Sequence, residues 1–163
     1  MASFDEHLKQ AKSNLTFLEN ICKNEKDYWD WKVTISFYAA VHLINAHIAN
    51  KTGQHFRSHE QVSMAINPNE MMSTCKLDET KYLCYAKLRN LSRRSRYLVS
   101  DLAKVTETRA FFTYDKHFAR AIKNLDVLIS FINEEYNQNI QSTEVSCVGL
   151  KQAGLLNFLV IAK

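Results

Sequence analysis

Between Thr80 and Ser100 the chain carries Lys81, Lys87, Arg89, Arg93, Arg94 and Arg96, and neither Asp nor Glu. Cys84, Leu88, Leu91, Ser95 and Leu98 recur there at spacings of three and four, the pattern of one helix face. With a turn of about 100° per residue, Arg89, Arg93 and Arg96 fall together on one flank of that face, next to Tyr85. Guanidiniums with no carboxylate from their own segment require an anion. Phosphate matches best, because the planar fork of arginine meets it bidentately. The competing reading is a solvated face whose carboxylates, such as Glu107, Glu134 and Glu135, come from neighbouring helices.

Histidines are the second group able to do chemistry. Trp31, Tyr38, His42, Asn45 and Ala49 share one angular stripe of an otherwise apolar segment. A histidine there must be hydrogen-bonded or face a cavity, since an unsatisfied buried polar group costs about 1–3 kcal/mol. His42 is therefore either a core histidine paired with a tyrosine or the backbone, or a group facing the same cleft as the arginines. The stretch QHFRSHE adds His55, Arg57 and His59. Two histidines four apart can ligate one metal when both are helical, but here a helix starts between them and no HExxH order follows. That loop is expected to lie over the top of the fold, and no metal or cofactor site is expected. Ser92 stands one step from Arg93 without the serine–histidine–acid order or turn of a nucleophile.

The elements that must position these groups follow from periodicity and caps. Ser3, with Asp5 and Glu6 behind it, opens a first helix whose stripe is Leu8, Ala11, Leu15, Leu18 and Cys22. A second helix runs from Tyr28 to Asn50 and is apolar nearly all round, as expected of a central element; Gly53 stops it. Ser58 and Gln61 form the start of a short helix that ends before Pro68. The basic helix is expected over Asp78–Asp101. A last long helix, Tyr114–Asn137, has Phe118, Ile122, Leu125, Leu128, Ile129 and Ile132 as its stripe. Four long helices and one short one predict an all-α, antiparallel up-and-down bundle over residues 1–137. Residues 138–163 form an extension that reads either as two short strands or as a terminal helix docking on a partner.

Composition agrees with this class. The 163 residues suit one domain, and three glycines with one proline are too few for a strand-rich fold. Scattered as they are, those glycines cannot build a phosphate loop. The net charge of +4 permits acidic or phosphate-bearing partners without marking a DNA-coating protein. Cys22, Cys75, Cys84 and Cys147 show no CxxC pairing and are expected to be reduced thiols. The first residues lack the apolar core of a signal peptide, and Leu155–Ile161 is too short to span a bilayer. A cytoplasmic protein without membrane contact is expected.

Three blocks of text carry a family likeness: DYWDWKVTISFYAAVHLINAHIA, HFRSHE and LRNLSRRSRY. They resemble a bacterial branch of the HEPN (higher eukaryotes and prokaryotes nucleotide-binding) helical domains. The positions that match are Asp30, Trp31, Phe37, Tyr38, Ala39, Ala40 and His42, then Ser58 and His59, then Ser92, Arg93, Arg96 and Tyr97. The resemblance implies a four- or five-helix bundle, often dimeric. It also implies nucleotide or RNA binding, in settings such as toxin–antitoxin pairs and phage defence. Many members cleave RNA without metal through an Arg-x4–6-His motif. This chain departs from that pattern: no arginine has a histidine five to seven positions downstream, and Arg109 and His117 are one step too far apart.

The leading expectation is thus a module that binds the phosphate of a nucleotide or RNA through Tyr38, His42, His59, Arg89, Arg93, Arg96 and Tyr97. Two readings stay open beside it. One is a metal-independent ribonuclease with His42 or His59 as general base and Arg96 steadying the phosphate. The other is a homodimeric or partner-binding module in which the arginines are structural.

Overall fold

Residues 2–100, 106–150 and 156–161 are described by a computed structural model of the chain. Ser3 opens helix α1 (Phe4–Asn24) through a capping box: its hydroxyl accepts the Glu6 N–H at 3.3 Å, and the Glu6 carboxylate accepts the Ser3 N–H at 2.7 Å. Helix α2 (Trp29–Thr52) ends at Gly53, whose φ of +67° is a left-handed geometry that costs glycine least. Helix α3 (His59–Ile66) starts where the Ser58 hydroxyl accepts the Gln61 N–H at 3.1 Å. Helix α4 (Glu79–Tyr97) is capped by Asp78, and helix α5 (Asp115–Tyr136) completes the set. With these five helices and two strands of two residues each, the protein is all-α.

Helix α2 is the axis of the fold. It packs against α1, α4 and α5, and buries Val33, Phe37, Ala40, Leu43, Ile44 and Ile48 among its neighbours. His7 near the start of α1 meets His42 in the second half of α2, while the end of α1 meets the start of α2, so these two run in opposite directions. The second contact is made by Lys32, only 1% exposed. Its ammonium donates to the carbonyls of Glu25 at 2.8 Å and Lys26 at 3.0 Å, and lies 4.2 Å above the Trp29 ring. A cation here meets the negative end of the α1 dipole and fills acceptors that the helix end leaves open.

Helix α4 is shorter than the periodicity predicts. It ends at Tyr97 because Leu98 adopts φ +54° as a left-handed cap, its N–H closing on the Arg94 carbonyl at 2.9 Å and its own carbonyl accepting from Phe111. Leu98 consequently leaves the apolar stripe and is exposed. The expected end at Asp101 lies outside the described residues.

The C-terminal extension settles on the chain's own helices. Glu144–Val145 (β1) pairs in parallel with Val160–Ile161 (β2), and Ile140, Val145, Cys147, Leu150 and Leu159 join the common core. Asp126, buried on α5, holds this segment: its carboxylate accepts the N–H groups of Asn157, Phe158 and Leu159 at 2.7–2.8 Å. Asp115 does the same one face-repeat earlier, accepting from Gly149 N–H at 2.8 Å and from the Cys147 thiol at 3.1 Å. All four cysteines are free and buried, and burial together with Asp115 pushes the Cys147 thiol up to about 12. No helix is long and apolar enough to cross a membrane among the described residues.

Two predictions follow from these contacts. Asp126→Ala strands three N–H groups and is expected to cost about 2–3 kcal/mol in urea unfolding, with the amides of residues 157–159 losing hydrogen-exchange protection; wild-type protection there would contradict the anchoring role. The second concerns pH. Burial lowers His47 from its ordinary 6.5 to about 4, its Nδ1 bonding the Tyr136 hydroxyl at 2.6 Å. Burial and the cations Arg94, Lys116 and Arg120 bring His117 to about 4. Below pH 6.5 the unfolded chain takes up protons that the folded chain excludes, so this stability is complete above that value and is lost as pH falls toward 4. The melting temperature should drop steadily between pH 7 and 5; a flat profile would sink the assignment.

Candidate anion-binding site

Along α4, Tyr85, Arg89, Ser92 and Arg96 stand at i, i+4, i+7 and i+11 and line up within about 60° of one another. They flank the buried stripe of Cys84, Leu88 and Ser95 on one side. Tyr85 and Ser92 are 0% exposed, yet the Tyr85 hydroxyl, the Arg89 Nε and the Ser92 hydroxyl have no hydrogen-bond partner among the described residues. Three orphaned polar atoms on successive turns are unusual, because each costs about 1–3 kcal/mol if left dry. A ligand oxygen or ordered water has to supply what the protein does not.

His59, the first residue of α3, comes to the same place. Its ring packs edge-on against Phe37 at 4.9 Å and lies 6.1 Å from Tyr38. Phe37 in turn lies 5.9 Å from the Tyr85 ring, so α2 places one aromatic wall behind both groups. Burial first, then Arg96 and Arg89, hold the His59 pKa below its ordinary value, so the ring is neutral at pH 7. Arg96 donates its Nε to the Ser92 carbonyl at 3.3 Å and lies 5.1 Å from the Tyr97 ring. Among the described residues neither Arg89 nor Arg96 forms an ion pair. Of the three acids suggested as cross-helix partners, Glu135 pairs with Lys51 and Glu107 with Arg109, and Glu134 forms no ion pair with either arginine among the described residues. The α4 slot is thus a row of two guanidiniums and two buried hydroxyls, with a neutral imidazole beside Arg96 and Arg89, a donor set that suits an oxyanion with several acceptor oxygens.

The residues expected from the sequence divide into two groups. His59 lies close to Arg96 and Arg89 at this slot, with Tyr38 beside it, whereas Arg93 and Tyr97 are both exposed further round α4. His42 turns away, toward α1. There His7, 3% exposed, links two other imidazoles: its Nδ1 lies 3.1 Å from His42 Nδ1 and its Nε2 lies 2.9 Å from His55 Nδ1. Burial, then His42 and His55, press His7 down to about 4. Because His7 meets its two neighbours through opposite nitrogens, one ion cannot sit among all three. No set of three metal-ligating side chains is placed to hold a metal among the described residues. His42 is half-buried: it pairs with His7 and also lines a groove between α1 and α2 together with Trp31 and Tyr38.

Sequence reasoning passed over Tyr85 and Ser92 as ligand groups, although Tyr85 stands four residues before Arg89 and Ser92 three after it, on the same side of the helix. It missed His7 altogether, since nothing local signals that the 53–58 linker folds back over the start of α1. Comparison with protein-family models, with curated proteins and with solved structures returns no match to this chain.

Proposed function

We propose that the α4 slot binds the phosphate of a nucleotide or of RNA, and that the protein is a phosphate-ligand-binding module. One observation carries the reading: Tyr85, Arg89 and Ser92 present polar atoms without partners, in line with Arg96 and beside a neutral His59. Phosphate oxygens supply acceptors for both guanidiniums and both hydroxyls at once, and no acidic side chain of the described chain competes for them. His59 can donate through one nitrogen or accept through the other, so it tolerates either a phosphate oxygen or a ribose hydroxyl. The likeness of the sequence to HEPN domains belongs to this proposal and points to the same ligand class.

The test is fluorescence anisotropy with a labelled ribonucleotide and a labelled RNA tetramer, for wild type and for Arg89→Ala/Arg96→Ala. Wild type should bind both probes, and more weakly at 200 mM than at 50 mM salt. The double variant should lose roughly tenfold or more in affinity and flatten the logarithmic salt slope by about 1.4 for the RNA. Equal binding by the two proteins would make these arginines structural. Running the same RNA on a gel checks for cleavage; a product that disappears in His59→Ala while binding persists would turn the module into a nuclease.

A further inference from the structure

The other flank of α4 carries a second basic surface, which the sequence analysis did not single out. A groove of about 720 Å³ between α4 and α5 is bordered by Lys87 and Arg94 from α4 and by Arg120 and Lys123 from α5, with Leu91 in its wall. None of its described lining residues is acidic, and none of these four cations forms an ion pair among the described residues. Asn90 and Asn124 add carboxamides; the Asn124 amide donates to the Arg120 carbonyl at 2.6 Å, which fixes its orientation at the edge of the groove.

The absence of acids here has a structural cause. Asp115 and Asp126 lie eleven residues apart on α5, three full turns, and so share one face. Both carboxylates accept backbone N–H groups of the C-terminal extension. Arg120 and Lys123 project from a different side, left without carboxylates to neutralise them. Arg94 is held in position: its Nε and Nη2 donate to the Phe112 carbonyl at 3.0 and 2.8 Å, and its guanidinium lies 5.3 Å from the Phe111 ring. The field is strong enough that Arg94 and Arg120 contribute to lowering His117, whose ring also lines the groove.

We propose that this α4–α5 groove is a binding track for the phosphodiester backbone of single-stranded RNA, separate from the α4 slot. Lys87 and Arg94 are seven residues apart, about 10 Å along the helix, farther than one phosphate can bridge. Cations on both walls therefore suit a run of phosphates more than a single one, and Leu91 offers apolar surface to a base. The track uses none of the slot's residues, and the two sites stand or fall independently.

The experiment measures binding of a labelled 20-nucleotide single-stranded RNA and of a labelled mononucleotide to three proteins: wild type, Lys87→Ala/Arg120→Ala/Lys123→Ala, and Arg89→Ala/Arg96→Ala. All three substituted groove residues are exposed, so the fold should survive, and circular dichroism checks this. The groove variant should bind the 20-mer at least tenfold more weakly, with the salt slope reduced by about 2, and should bind the mononucleotide as wild type does. Wild-type affinity of the groove variant for the 20-mer overturns the track, as does failure of wild type to bind the 20-mer at 50 mM salt. Poly-glutamate of equal charge displacing the 20-mer as well as unlabelled RNA does would assign the groove to acidic peptide and overturn the phosphodiester reading. Loss of 20-mer binding in the groove variant alone would keep the track, and the slot would be decided separately by whether Arg89→Ala/Arg96→Ala loses the mononucleotide.

Discussion

Enclosure of α2 is the constraint from which the other arrangements derive. Helix α2 meets α1, α3, α4 and α5 and keeps only a narrow exposed edge at Trp31 and Tyr38, so the polar groups on its buried faces need partners inside the protein. Lys32 finds the carbonyls at the end of α1, Ser36 donates back to the Lys32 carbonyl at 2.7 Å, and Asn45 donates to the Val41 carbonyl at 3.2 Å. His47 finds Tyr136 and His42 finds His7. Each pairing fixes a neighbour: Lys32 sets the α1–α2 turn, His47 ties the end of α5, and the imidazole chain draws the linker at His55 over the start of α1. These polar contacts cost more to break than to form, because a lost partner leaves a buried group unpaired. They select one arrangement of helices that apolar packing alone would tolerate in several.

Helix α4 obeys the opposite rule. Its core stripe is narrow, confined to Cys84, Leu88 and their neighbours, and both flanks stay polar. One flank turns to α2 and α3 and carries hydroxyls and guanidiniums whose needs the protein leaves unmet; the other turns to α5 and lines an open groove. A helix held by a thin apolar seam and edged by cations on both sides is costly unless anions relieve the repulsion. Helix α2 engages most of its polar groups in building the fold, His47 Nε2 being left without a hydrogen-bond partner among the described residues, whereas α4 leaves the Tyr85 and Ser92 hydroxyls and the Arg89 Nε in that condition.

Much of this fold could be read from local chemistry. Ser3 and Ser58 cap the helices they were expected to cap, Gly53 stops α2, and Asp78, expected as the first residue of the basic helix, is its cap. These signals are legible because a cap acts within a single turn. Leu98 escaped for the complementary reason: a leucine in the left-handed region is disfavoured locally, and it is held there by a hydrogen bond from Phe111 across the loop. Lys32 and His7 carried no local signal, since their partners lie on other elements. The site was half visible for the same reason. Arginine spacing along α4 located one flank, but His42 lay on the right face and was drawn off by His7, a contact thirty-five residues away in sequence.

The extension over residues 138–161 shows how a buried carboxylate can govern charge at a distance from itself. Its backbone N–H groups near Asn157 and Gly149 need acceptors where no sheet or helix supplies them, and α5 provides Asp126 and Asp115. Meeting that need engages the only two acids of α5 before Glu134 with the C-terminal extension. A carboxylate turned toward Arg120 or Lys123 would offset one of the four positive charges that border the groove. The basic character of the α4–α5 face is thus partly set by how the chain's end is fastened, and cations that were unremarkable in the sequence become a connected field only after the extension has claimed the acids.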